Sequence, residues 1–157
     1  MKLQLLSVGK AHEPYVKEGI ELFTKRLNNY YPANWVIIAP PKNASSLSEQ
    51  EFKKKEGQLI LQQIQPEDYL LLLDERGKNL TSEGLANFIQ QRANEATRNL
   101  CILIGGAYGV SDAVMERANY KLRLSDFVFP HQLVRLILSE QLYRACTINK
   151  NEKYHHT

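Results

Sequence analysis

Residues 2–8, KLQLLSV, alternate between apolar and polar side chains, and this predicts a half-buried strand. Val16, Ile20, Phe23 and Leu27 then recur at helical spacing and predict a helix over 14 to about 28. A short apolar run at 35–38 lies between Pro32 and the Pro40-Pro41 pair and reads as a second strand. The proline, asparagine and serine of 40–47 make a loop. Ser48 with Glu51 three residues later is a capping-box signature for a helix running to about 63. The continuous apolar runs at 69–73 and 100–104 suit strands buried on both faces. DERGKN after the first is a polar turn, and Thr81 or Ser82 caps a helix bearing Leu85, Phe88 and Ile89. GGAYGVSD after the second is a glycine-rich turn in which Ser111 caps a short helix through Val114 and Met115. A last alternating strand over 120–124, a connector over 125–130, a long helix over 132 to about 146 and an eleven-residue polar tail complete the chain.

Strands alternate with helices almost throughout, without repeats or low-complexity segments. The expectation is one α/β domain over 1–157, with a mostly parallel sheet covered by helices on both faces. A chain of 157 residues, 43% hydrophobic, holds such a core without a disulfide or metal staple. Its net charge of +3 does not mark a nucleic-acid coat protein, yet leaves room for RNA binding through a local patch. The two cysteines, Cys101 and Cys146, form no CxxC pair; zinc-ribbon and thioredoxin-type chemistry are disfavoured, and reduced core thiols are expected. No secretion-type h-region and no apolar run near membrane-span length is present, so a soluble cytoplasmic protein without a metal is expected.

In open parallel sheets ligands bind outside the carboxyl ends of the strands. Three such ends are unusual here: 73–78, 105–109 and 124–130. Together they can wall one small-ligand pocket, with glycines allowing close backbone approach. A phosphate-binding P-loop fails on spelling, because Gly109 is followed by Val110-Ser111 rather than Lys-Ser/Thr. A dinucleotide fingerprint from Gly105 fails at Ala107 and Val110, although Asp126 lies about 20 residues on. A glycine turn with no ligand is the plainer alternative.

The helix after Pro130 is apolar around most of its circumference and must be buried, with a two-fold subunit interface as a natural solution. Glu140 and Arg144 are spaced for an intrahelical ion pair; alternatively Arg144 is free to bind a phosphate or a base. Lys53, Lys54 and Lys55 make either a solvated face or a phosphate-contacting patch. The tail is either disordered or orders over a substrate, with Tyr154 for stacking and His155 or His156 for proton handling. His131 reads as a capping or packing residue, and His12 carries no signal.

LDERGK (73–78), IGGAYGVSDAV (104–114), LRLSDFVFPHQLVRLILSEQLYRA (122–145) and the terminal YHH (154–156) resemble the bacterial RlmH-type methyltransferases of the SPOUT superfamily. The resemblance runs through essentially the whole chain in order, and the FPHQL…EQLYRA block is its most specific part. It implies a five-stranded parallel sheet whose C-terminal part forms a trefoil knot, a feature periodicity alone never signals. It implies a homodimer that methylates N3 of a pseudouridine in helix 69 of 23S rRNA, on the assembled ribosome, from S-adenosylmethionine. Carried over by motif, donor contacts fall on Leu73, Gly105, Leu124, Ser125, Asp126, Phe127, Val128 and Phe129, and the catalytic candidates are Arg144, Tyr154 and His155. Two departures stand out. SDFV precedes the FPHQ segment where relatives often carry methionine and threonine, and Lys153 replaces a proline before the tail tyrosine. The rivals are a ribosome-binding factor that has lost methyl transfer, and a SPOUT enzyme acting on tRNA or a ribose oxygen.

Overall fold

The computed structural model describes residues 1–156; Thr157, the end of the polar tail, lies outside them. Five strands form one sheet, β1 (Lys2–Val8), β2 (Ala33–Ile38), β3 (Tyr69–Asn79), β4 (Asn99–Ile104) and β5 (Tyr120–Arg123), in the order β2-β1-β4-β3-β5. Every pairing is parallel. Five helices cover it: α1 (Pro14–Leu27), α2 (Glu49–Leu61), α3 (Ser82–Asn94), α4 (Asp112–Arg117) and α5 (His131–Asn149).

The strand pleat divides the core into two layers. Leu71, Leu100, Ile102 and Leu122 face α3 and α5, against Leu85, Ile89, Leu138 and Leu142. Leu70, Leu72, Cys101 and Leu103 face the other way, onto Ile60 of α2 and Val114 of α4. Both cysteines are buried free thiols, and burial pushes each thiol up to about 12. Helix starts follow the expected caps: Ser48 Oγ, Thr81 Oγ1 and Ser111 Oγ accept from the N–H groups of Glu51, Gly84 and Val114. Gly19 lets α1 lie against α5, since a Cβ there would sit 2.6 Å from Leu136 Cδ1.

One expectation needs correction. DERGKN is not a turn: β3 continues through it to Asn79. After a bulge between Leu73 and Lys78, residues 78–79 pair again with Leu122 and Arg123 of β5. Strand pairing to β5 overrides the turn propensity of Asp74, Gly77 and Asn79. Gly77 is required there, because a Cβ would lie 2.6 Å from the Lys121 carbonyl carbon and oxygen.

Within a single chain α5 is buried along one stripe only. Its fully buried stripe includes polar Arg135, Ser139 and Thr147, while Leu133, Val134, Ile137 and Tyr143 stay half-exposed. Arg135 is 0% exposed. Its Nε donates to Ser7 Oγ at 2.8 Å and its Nη1 to the Lys10 carbonyl at 2.8 Å, and Nη1 also approaches His12 Nδ1 at 3.2 Å. Arg135→Ala therefore strands a hydroxyl and a carbonyl beside a cavity. It should cost about 3 kcal/mol, read as a lower urea midpoint. A cost under 1 kcal/mol would contradict this view of Arg135.

Candidate active site

β4, β3 and β5 are neighbours in the sheet, so their carboxyl ends open into one cleft of about 770 Å³. Its wall includes Leu73 from β3, Gly105 after β4, and Leu124, Ser125, Asp126, Phe127, Val128 and Phe129 after β5. The three strand ends singled out in the sequence thus meet around one space. Gly105 has no room for a side chain, since a Cβ would stand 2.6 Å from Val110 Cγ1. His131, at the start of α5, contacts the Gly105 carbonyl oxygen through Nε2. A carbonyl only accepts, so Nε2 carries the proton. His131 is therefore neither a cap nor mere packing: it ties α5 to the glycine turn.

Charge on the wall is largely paired. Arg76 donates to Asp74 from Nε and Nη2 at 2.9 and 3.1 Å, and holds that carboxyl below the ordinary range. Asp126, one of the departures from the family pattern, pairs with Arg123 at 3.1 Å. Phe127 N–H donates to Ser125 Oγ at 3.0 Å, and Phe127 and Val128 project outward at 79% and 95% exposure. Across the mouth, Tyr108 is also exposed.

Burial, reinforced by Arg135, holds His131 below its usual 6.5; burial and then Arg135 do the same for His12. As the pH falls past 6.5 the unfolded chain takes up these protons before the folded one does. Stability present above that point is lost below it. We expect the urea midpoint to fall between pH 7 and 5.5, and His131→Asn to flatten that slope. An unchanged slope in the variant would contradict the assignment.

Arg144, Tyr154 and His155 do come together, but elsewhere. Arg144 donates to Glu140 Oε1 from Nε at 3.0 Å and Nη2 at 2.6 Å, so the intrahelical pair exists. Its Nη1 reaches His155 Nδ1 at 3.2 Å, and its guanidinium lies 4.8 Å over the Tyr154 ring. Tyr154 O–H donates to the same Glu140 oxygen at 3.0 Å; burial and this carboxylate raise the phenol. With Nδ1 accepting from Arg144, His155 carries its proton on Nε2, which donates to Glu83 Oε1 at 2.8 Å. The tail is thus fastened to α5 and α3 through residue 155. None of the three lines the cleft. Arg144 follows His131 by thirteen helical residues, about 20 Å along α5.

Sequence reasoning missed Glu56. It is 2% exposed on α2, and its carboxylate accepts from Gly106 N–H. The signal was available: Phe52, Glu56 and Ile60 share one stripe, so a carboxylate sits among positions that should be apolar. Of the three lysines beside it, Lys53 lines the cleft, whereas Lys54 and Lys55 are exposed.

The sequence model of the family described as "Predicted SPOUT methyltransferase" matches residues 1–155. The chain is 51% identical to a protein of Cytophaga hutchinsonii named ribosomal RNA large subunit methyltransferase H, over 99% of this chain and 100% of that one. A protein of the same name from Bacillus pumilus is 45% identical over 99% of each chain. Among solved structures, a probable methyltransferase of Bordetella pertussis Tohama I superposes with a TM-score of 0.57 at 9% identity, covering 92% of this chain and 93% of that one.

Proposed function

The chain belongs to the SPOUT methyltransferase family, and from that premise we propose that it methylates N3 of a pseudouridine in helix 69 of 23S rRNA. The coarser activity, methyl transfer from S-adenosylmethionine to large-subunit rRNA, follows from the family and its named relatives. The finer assignment, with assembled ribosomes as substrate and a cytoplasmic homodimer as enzyme, is our reading. The observation that carries it is the cleft at the ends of β4, β3 and β5, whose wall holds all eight expected donor contacts.

The residues present fit the donor. The volume suits a nucleoside carrying an amino-acid arm. The Gly105-Gly106 turn is a cradle that a Cβ would fill. The wall pairs Asp74 with Arg76 and Asp126 with Arg123, leaving Glu49 and Glu75 against Lys53, a balance that suits a cationic ligand. When bound, the donor supplies an electrophilic methyl on a sulfonium sulfur. The protein's share is alignment: backbone groups of 105–109 and 124–129 hold one reactant still while the base approaches in line. The N3–H of a uracil-type ring is weakly acidic, and its proton has to leave. In our reading Arg144 steadies the ring anion, while Tyr154 and His155 shape the pocket or relay the proton.

One chain keeps Arg144 about 15 Å of helix beyond Val134, where α5 leaves its own cleft. A two-fold dimer that sets the start of one α5 beside the end of the other removes that gap. The half-exposed Leu133, Val134 and Ile137 of α5 supply an apolar face for it. For the nucleic acid, a groove with Arg76, Lys78 and Lys121 on its wall lies beside the cleft and suits a phosphate backbone.

Nucleoside mass analysis of treated ribosomes tests the reading. We expect one methyl gained on a pseudouridine base of 23S rRNA. Gain on a ribose, or on tRNA instead, would contradict it.

A further inference from the structure

Five residues of α2 lie along one face at helical spacing, and all of them serve the glycine turn after β4. Glu49 and Lys53 reach the cleft wall. Phe52 meets Tyr108 edge-on at 5.7 Å between centroids. Gly57 packs against Ser111 so closely that a Cβ would lie 2.3 Å from its Oγ. Between them stands Glu56, with its oxygens 2.7 and 2.9 Å from where a Gly106 Cβ would be.

A buried carboxylate normally has a cationic partner. Among the described residues, no lysine, arginine or histidine nitrogen pairs with Glu56. Its recorded contact is a neutral one, the Gly106 N–H. Burial pushes this carboxyl up, and the Gly106 N–H opposes that shift. The buried carboxyl therefore sits behind a single glycine residue of the cleft wall, with no cationic partner inside the chain among the described residues.

We propose that Glu56 is a positioning residue that both fixes the Gly105-Gly106 turn and supplies the negative field that makes the cleft prefer the cationic methyl donor to its neutral product. The donor's sulfur is a sulfonium and the product's is a thioether, while the adenosine and amino-acid parts are identical. The two ligands differ only in the methyl and the charge it brings, so the change in their affinity ratio when Glu56 loses its charge but keeps its shape reports the field at sulfur. A field of this kind releases the product once the methyl has left. The inference rests on S-adenosylmethionine being the donor.

The test is calorimetric titration of the full-length protein with S-adenosylmethionine and with S-adenosylhomocysteine. Glu56→Gln keeps the shape and an oxygen for the Gly106 N–H but removes the charge. We expect it to lower the donor-over-product affinity ratio about tenfold, the size a unit charge pair across a half-wet wall commands. Glu56→Asp keeps the charge and shortens the reach; its ratio should stay within about twofold of wild type even where both affinities drop. That second variant keeps the test decisive if the glutamine variant does not fold. Equal losses for both ligands in Glu56→Gln, or a collapsed ratio in Glu56→Asp, overturn the proposal while leaving methyl transfer intact. Wild-type protein that binds neither ligand overturns both.

Discussion

Gly105→Val should lose at least about a hundredfold in affinity for S-adenosylmethionine while the protein stays folded. β4 ends at Ile104, so Gly105 is the first residue beyond the sheet and no strand pairing depends on it. A Cβ at this position meets Val110 Cγ1 at 2.6 Å. Val110 is itself buried among the residues facing α2 and α4, so it has little room to retreat. The turn must move instead, and the Gly105 carbonyl is tied to His131. The two additional methyls of valine then occupy the cleft. Overpacking of this kind costs about 1–3 kcal/mol of stability, which the core should tolerate. Calorimetric titration beside a urea unfolding curve reads both quantities. Donor affinity within threefold of wild type would mean that the glycine turn is not the donor site.

Arg144→Ala should lower kcat by about 10²–10³-fold, the usual cost of removing a group that stabilises a developing anion. The donor's Kd should change less than about twofold, because Arg144 stands about 15 Å along α5 from Val134 on the wall of its own cleft. Steady-state kinetics with titration of the donor separate the two effects. Mixing the inactive Gly105→Val and Arg144→Ala proteins then asks whether one chain completes the other. If the cleft of one protomer works with Arg144, Tyr154 and His155 of its partner, a mixed dimer has one intact site of two, and a randomly paired equimolar mixture regains about a quarter of wild-type activity. No recovery in demonstrated mixed dimers would show that both halves of the site belong to one chain.

Much of this arrangement was legible in the sequence, for physical reasons that can be named. The runs at 69–73 and 100–104 are apolar because β3 and β4 are covered on both faces, and such runs have few other uses. Ser48, Thr81 and Ser111 announced helix starts because an exposed N–H group needs an acceptor there. What escaped reading depends on partners distant in sequence. Residues 74–79 spell a turn, and only pairing with β5 makes them strand. Glu56 shares a stripe with Phe52 and Ile60, but what that carboxyl touches is known only once Gly106, fifty residues on, is placed against it. His12 gave no signal because its neighbours, Trp35 and Arg135, come from β2 and α5. Arg144 and Tyr154 were found by motif, but the motif does not carry the length of α5 that separates them from the cleft.

The most direct measurement is transfer of labelled methyl from S-adenosylmethionine to ribosomes that lack the modification, with separated subunits and free rRNA treated alongside. The account predicts label in 23S rRNA from whole ribosomes and little or none from free rRNA. Label in none of them, with the donor still bound, would contradict it and point to another RNA or to a binding factor.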